Sequence, residues 1–121
     1  MLINGKEVDI SPKADLSYAD LRGANLSNAD LSYANLNRTT LCNVNLRDTN
    51  LSKANLRGAD LWSADLGSAD LSSADLSYAD LRDANLRGAN LRGANLSDAD
   101  LSGADLRGAN LNYAKFEDTI F

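Results

Sequence analysis

Carboxylates are the commonest side chains in this sequence that could do chemistry. Asp and Glu account for 17 of the 121 residues, and many of the aspartates recur five residues apart. Paired carboxylates can serve as general acid and base or bind calcium. However, Asn substitutes freely for Asp at the same position of the pattern. Both residues suit a conformational role, in which a short polar side chain accepts a hydrogen bond from nearby backbone at a corner.

The other residues typical of catalytic and metal sites are almost missing. The sequence has no His, which is the commonest acid–base group and metal ligand. Its single cysteine, Cys42, excludes an intrachain disulfide and fits a reducing compartment. The glycine-rich calcium nonapeptide of other β-rolls is not present. The sequence therefore predicts a protein that is not an enzyme and needs no metal or cofactor.

A five-residue period determines which elements position these side chains. Twenty leucines recur without a gap from Leu16 to Leu111, and the register continues through Phe116 to Phe121. Around each leucine the sequence approximates Ala-[Asp/Asn]-Leu-x-x. In an α-helix a five-residue step rotates the side chain by about 140°, which scatters the leucines around the cylinder. In a straight strand an odd spacing sends successive leucines to opposite faces.

A chain that turns one corner per repeat keeps every leucine on the same side. Ala and Leu, two residues apart, then point inward, while Asp or Asn and the two variable residues point outward. If each corner is near a right angle, four repeats form a coil of twenty residues, and coils stack as parallel strands about 4.8 Å apart. Parallel crossovers are overwhelmingly right-handed. The sequence therefore predicts an all-β fold, a right-handed quadrilateral β-helix of about five coils.

The residue two after each leucine should form the corner. Gly, Asn or Asp occupies twelve of these 21 positions, and these types tolerate the positive φ that a type II turn requires. Tyr18, Tyr33, Tyr78 and Tyr113 occupy four others, where positive φ is costly. We therefore expect type I-like corners at the tyrosines and a turn type that varies along the molecule.

Three parts of the chain depart from the repeat. Residues 1–13 precede it and place apolar residues around the hairpin dipeptide Asn4-Gly5, which predicts an N-terminal cap on a β-helix spanning residues 14–121. Thr and Val replace the inward alanine at Thr39, Val44 and Thr49, where we expect one coil to bulge slightly. The irregular C-terminal coil ends in three large apolar residues, which either plug the core or join two chains end to end as a homodimer: Phe116, Ile120 and Phe121.

The repeat resembles that of the pentapeptide-repeat family, whose members form right-handed quadrilateral β-helices. The similarity covers about residues 14–121. Some proteins of this family resemble duplex DNA in width and charge, and occupy the DNA site of a type II topoisomerase, which protects that enzyme from drugs. The resemblance therefore adds one functional alternative, a DNA-mimic, gyrase-protecting regulator, to the function expected of β-solenoids in general, a rigid protein–protein interaction scaffold.

Winding the sequence at twenty residues per coil assigns its charges to four faces, each defined by its leucines. The first face contains Leu16, the second Leu21, the third Leu26 and the fourth Leu31, each followed by every twentieth residue. The second face carries five aspartates and two arginines, a net charge of −3, and the first face a net −2. These two adjacent faces therefore carry the whole net charge of −5.

Trp62 lies on the second face, between Cys42 and Arg82 in the neighbouring coils. Tryptophan is favoured at binding hot spots, whereas in the structural alternative it stacks on Arg82 as a cation–π pair. The candidate partner surface combines this residue with the nearby carboxylates: Asp60, Trp62, Asp80, Asp83 and Asp100.

Charge and size limit the classes of partner. The net −5 and the lack of a basic face disfavour direct nucleic-acid binding. A DNA mimic about 25 Å long would have to replace the negative charges of about fifteen phosphates. In this chain the net charge is only −5, and eight arginines stand among the stacked aspartates. No segment has the length of a signal peptide or membrane span, which predicts a cytoplasmic protein without membrane contact. The small, flat column of Ser32, Ser52 and Ser72 leaves ice binding as a weaker alternative.

Overall fold

The chain forms a right-handed quadrilateral β-helix, as the leucine period predicted. The structure is a computed structural model that describes residues 1–121. Two short strands, β1 (Leu2–Ile3) and β2 (Lys6–Glu7), form an antiparallel hairpin. Beyond it, single-residue parallel bridges join positions twenty apart, such as Asp15 to Asn35 and Asp60 to Asp80. Each coil therefore contains four pentapeptide repeats.

Backbone hydrogen bonds run along the axis of the helix and join consecutive coils. The amide of Leu16 donates to the carbonyl of Asn35 at 2.7 Å, and the amide of Asn35 donates back to the carbonyl of Ala14 at 2.9 Å. The same exchange repeats on all four faces. Because each inner coil pairs with the coils before and after it, its buried backbone groups are satisfied without any long strand.

The leucines form the core, and alanine fills the space between them. Every leucine from Leu21 to Leu101 is at most 2 % exposed, and the alanines from Ala54 to Ala99 are at most 1 % exposed. The outward Asp and Asn positions are partly or fully exposed along the whole ladder. This arrangement is the predicted one, with Ala and Leu inside and the polar residues outside.

All 21 corners have the same backbone conformation, so the prediction of a varying turn type is wrong. The residue two after each leucine has positive φ at every corner, including Tyr18 (61°), Tyr33 (60°), Tyr78 (61°) and Tyr113 (63°). The amide after each corner donates to the leucine carbonyl, as from Ala19 to Leu16 at 3.1 Å. This is a type II turn. The stacked register imposes it, because each corner must superpose on the one before.

The predicted bulge around Thr39, Val44 and Thr49 is not observed. All three side chains are buried, at most 1 % exposed, and the parallel bridges continue through these coils in the same register. The Thr39 hydroxyl donates to the carbonyl of Leu16 at 2.8 Å, and the Thr49 hydroxyl donates to that of Leu46. The extra atoms fit because each hydroxyl finds an acceptor inside the core.

The N-terminal hairpin packs against the first coil. Asn4 and Gly5 both have positive φ, 50° and 82°, as a two-residue type I′ hairpin turn requires. Ile3 is 5 % exposed and belongs to the core cluster, and Val8 and Ile10 pack against it. This segment therefore covers apolar side chains that the first coil would otherwise expose.

The structure contains no helix that could span a membrane.

Candidate interaction surface

The second face carries a column of carboxylates in successive coils. Bridges join Asp60 to Asp80 and Asp80 to Asp100, so these residues lie directly above one another. Neighbouring coils are separated by about 4.8 Å, the usual spacing of paired strands. Like charges at this distance repel. A rigid backbone ladder therefore keeps together three carboxylates that would otherwise separate.

Each carboxylate of the column also closes the adjacent turn. Asp60 accepts a hydrogen bond from the amide of Trp62 at 3.1 Å, and Asp80 accepts one from the amide of Arg82 at 3.1 Å. Asparagine makes the same bond on other faces, as Asn45 does with the amide of Arg47. This is the conformational role predicted for Asp and Asn, and a negative charge is not required for it.

Arginine neutralises part of the acidic column. Arg22 and Arg82 each fold back onto the aspartate two residues earlier, Asp20 and Asp80, and form bidentate pairs with nitrogen–oxygen distances of 2.7 to 2.9 Å. The hydrogen bonds from Arg82 lower the pKa of Asp80, and those from Arg22 lower the pKa of Asp20. The arginines therefore fix the ionised state of these two carboxylates.

Three carboxylates on the candidate surface form no salt bridge: Asp60, Asp83 and Asp100. Asp100 accepts hydrogen bonds from the hydroxyl and amide of Ser102, which lower its pKa. Asp83 lies over Gly103, where an added Cβ would collide with its Oδ1. The absence of a side chain at Gly103 therefore leaves room for the Asp83 carboxylate.

Trp62 projects from the corner of this face with 42 % of its surface exposed. The alternative in which it stacks on Arg82 is wrong, because the Arg82 guanidinium pairs with Asp80 instead. The cation–π pairs lie elsewhere, between Arg57 and Tyr78 and between Arg92 and Tyr113 at 4.4 and 4.5 Å, and between Lys53 and Tyr33 at 5.3 Å. Their spacing of 20 or 21 residues could have revealed them in the sequence, since such positions lie in adjacent coils.

The second face therefore brings together the five residues of the candidate partner surface, and their role in binding stays a prediction. The serines of the ice-binding alternative lie at corners of the fourth face, where their amides donate to the preceding Asp or Asn: Ser32, Ser52 and Ser72. These bonds are the same turn closures found throughout the helix.

The last coil exposes aromatic side chains. The rings of Phe116 and Phe121 lie 5.7 Å apart between centroids and are inclined by 51°. They remain 37 % and 65 % exposed, and Ile120 is 55 % exposed. These three residues thus contribute an apolar surface at this end of the described chain. Whether they plug the core or join two chains stays a prediction.

Comparison with known proteins identifies the repeat. The family model described as pentapeptide repeats matches residues 13–48, 49–88 and 84–121. A solved pentapeptide repeat protein from the thylakoid lumen of Arabidopsis thaliana is 40% identical, with a TM-score of 0.80 over 82% of this chain and 69% of that one. Rfr23, from the cyanobacterium Cyanothece 51142, is 32% identical, with a TM-score of 0.73 over 84% of this chain and 86% of that one.

A more distant structure shares the fold alone. The plasmid-mediated fluoroquinolone resistance protein QnrB1 is 19% identical, with a TM-score of 0.52 over 94% of this chain and 73% of that one. Comparison with curated protein sequences gives no match. Since the family model matches nearly all of the sequence and the two closer structures agree with it, the chain belongs to the pentapeptide-repeat family.

Proposed function

We propose that this protein is a non-enzymatic scaffold that binds a protein partner through its second face. The observation that supports this role most directly is the exposed Trp62 beside Asp60, a carboxylate without a salt bridge, with a second such carboxylate, Asp100, two coils further along the same face. Tryptophan is one of the residues most enriched at binding hot spots, and charged side chains belong to the polar rim around such an anchor. The complementary surface would be basic, with an apolar pocket for the indole ring.

The backbone ladder favours binding because it fixes these groups in advance. Every coil is held by hydrogen bonds to its neighbours, and the corners share one geometry. A partner would therefore order few side chains and no loops, which reduces the entropic cost of association. The net negative charge of this face would also accelerate encounter with a basic partner at low ionic strength.

Charge counts against the alternative of a DNA mimic that protects a type II topoisomerase. Arg22 and Arg82 neutralise Asp20 and Asp80, and Thr40 separates Asp20 from Asp60, so the acidic column carries few uninterrupted charges. Duplex DNA carries one charge per about 1.7 Å of its axis. The scaffold function does not require such a density.

Substituting Asp60 and Asp100 with Asn, together with Trp62→Ala, should abolish partner binding and leave the fold intact. Asn preserves the turn-closing hydrogen bond, because it occupies equivalent positions in other coils. The matched control is the pair Asp30→Asn and Asp70→Asn on the fourth face, which removes the same charge elsewhere. Wild type, variant and control would be immobilised, and proteins captured from a cell extract compared.

The proposal requires a partner that wild type and control retain and that the triple variant loses. Its binding should weaken as salt concentration rises, because surface charges are screened. If all three proteins captured the same set, the second face would not be the binding surface. A topoisomerase subunit captured through this face would instead favour the DNA-mimic alternative.

A further inference from the structure

A polar cleft lies at the corner that follows the third face. It has a volume of about 440 Å³ and is lined by three arginines, two glycines, one serine and one asparagine: Arg47, Ser68, Asn85, Arg87, Gly88, Arg107 and Gly108. No carboxylate and no apolar side chain belongs to this lining. We call it the arginine cleft. It is separate from the acidic second face proposed above to bind a protein.

Glycines create the space for the three guanidinium groups. Arg47, Gly67 and Arg87 are twenty residues apart and stack in consecutive coils, with Gly67 in the middle. A Cβ on Gly67 would lie 2.5 Å from Nη1 of Arg47. Arg47 can therefore extend across the next coil. Gly88 and Gly108, with φ of 67° and 74°, stack on each other and leave a floor without side chains beside Arg87 and Arg107.

Most of the guanidinium donors have no partner. Arg87 donates no side-chain hydrogen bond, and its Nε forms only a long salt bridge of 4.0 Å with Oδ2 of Asp105, the oxygen that Arg107 also holds. Arg107 uses Nε and Nη2 to hold Asp105 and keeps its remaining N–H groups free. Arg47 makes one long bond of 3.4 Å to Asp65. Each guanidinium has five N–H donors, so the cleft has a large excess of donors over acceptors.

We propose that the arginine cleft binds a phosphate-class oxyanion. Planar guanidinium groups pair with tetrahedral oxyanions through two parallel hydrogen bonds, and Arg is the preferred residue for this recognition. Arg87 and Arg107 occupy equivalent positions in consecutive coils, about 4.8 Å apart at the backbone. One anion could therefore contact the N–H groups that Asp105 leaves free on both arginines. Asp65 and Asp105 orient Arg47 and Arg107 from outside the lining, and the Ser68 hydroxyl offers a further polar group. Asn85 is already engaged, since it donates to Asp65 and accepts a hydrogen bond from the amide of Arg87.

Titration with inorganic phosphate at low ionic strength tests the proposal. Calorimetry should detect saturable binding of one anion per chain to the wild-type protein. Arg87→Gln removes the least engaged guanidinium and should weaken binding by roughly tenfold, as expected for loss of a charge-assisted bidentate contact. The matched control is Arg92→Gln, which removes an arginine from the corresponding position on the next face. It should bind phosphate like the wild type.

A second pair of variants separates binding from folding. Gly88→Asp places a carboxylate on the cleft floor, and the backbone tolerates it because Asp48, Asp83 and Asp98 have the same conformation. Its control is Gly93→Asp at the neighbouring corner. An added Cβ meets a serine hydroxyl at 3.5 Å in both cases, Ser68 under Gly88 and Ser73 under Gly93. Only Gly88→Asp should abolish phosphate binding, and both should melt like the wild type.

Glycerol 3-phosphate, titrated in parallel, distinguishes two sources of the ligand. Tighter binding than that of inorganic phosphate would indicate an organic phosphate monoester, and equal binding would indicate the free anion. Either result supports the cleft. The proposal fails if the wild type shows no saturable phosphate binding, or if Arg87→Gln and Gly88→Asp bind as well as their controls. None of these outcomes bears on the second face.

Discussion

At the residue scale, the corners show that stacking overrides conformational preference. Where Tyr, Arg, Lys or Ser stands two residues after the leucine, it has positive φ just as Gly does there. The left-handed conformation costs roughly 1–2 kcal/mol for a residue with a Cβ. One deviating corner would lose its hydrogen bonds to the next coil, such as that from the Tyr18 amide to the Asn37 carbonyl at 3.0 Å. The sequence prediction failed at the tyrosines because it weighed each residue alone.

Ser73→Val should destabilise the protein more than Ser72→Val does, because a β-branched residue is more strained than serine at positive φ. The midpoint of urea unfolding, monitored by circular dichroism, would report the change. Ser72→Val is the control, since Ser72 is the adjacent corner residue without positive φ. Equal effects of the two substitutions would contradict a conformational cause.

Leu66→Asp should prevent cooperative folding. Leu66 is fully buried near the middle of the ladder, and a carboxylate there would have no partner. Ser73→Asp introduces the same group at an exposed corner, where Asp48 and Asp83 show that it fits. This control should retain a sharp thermal transition. A normal transition in Leu66→Asp would be incompatible with an inward-facing leucine ladder.

At the element scale, the repeat explains why Asp and Asn are interchangeable. The side-chain oxygen of each accepts a hydrogen bond from the backbone amide two residues later. Asp70, for example, accepts one from the amide of Ser72 at 3.0 Å. The pattern in the sequence predicted this role. It could not predict that Thr39 and Thr49 fit without a bulge, because the acceptors of their hydroxyls are core carbonyls whose positions depend on the finished coils.

Asp70→Ala should lower the free energy of unfolding by about 0.5–1.5 kcal/mol, the typical value of one hydrogen bond. Asp70→Asn keeps the acceptor and should have little effect. Chemical unfolding of the two variants and the wild type would measure both values. A loss of equal size in Asp70→Asn would assign the effect to charge and not to the hydrogen bond.

At the scale of the whole molecule, the sequence specified the fold, the coil length and the stacking of Asp60 on Asp80 and Asp100. These features follow from one uninterrupted period. The side-chain pairing of the candidate site was less predictable. Arg82 pairs with Asp80 in its own coil instead of stacking on Trp62 in the coil before, and the period does not distinguish these two neighbours.

Stability should fall as the pH drops from about 4 to about 2. Hydrogen bonds from Arg107 lower the pKa of Asp105 to about 2, and those from Arg82 lower that of Asp80. The unfolded chain, with ordinary Asp pKa values near 3.9, therefore binds protons first as acid is added. Urea midpoints at several pH values would show the decline. Asp105→Asn should reduce the fall of the urea midpoint with decreasing pH. A higher urea midpoint at pH 3 than at pH 6 would contradict the proposed coupling between protonation of these aspartates and stability.

End-to-end association through Phe116, Ile120 and Phe121 can be tested by light scattering over a dilution series. If these exposed residues join two chains, the mass should approach twice that of one chain at high concentration. Phe121→Ser should then raise the protein concentration at which half of the chains are dimeric, because it removes apolar contact area. A mass of one chain at every concentration would leave only the plugging role.

Because residues twenty apart stack on one another, the length of an inserted segment determines which residues share a face. Adding one pentapeptide between two coils would keep every later leucine inside but rotate all later residues by a quarter turn, so Asp80 and Asp100 would leave the face of Asp60. Adding four pentapeptides would lengthen the molecule and return them to that face. Duplication of short segments could therefore rearrange the surface of this protein abruptly while its interior stayed the same.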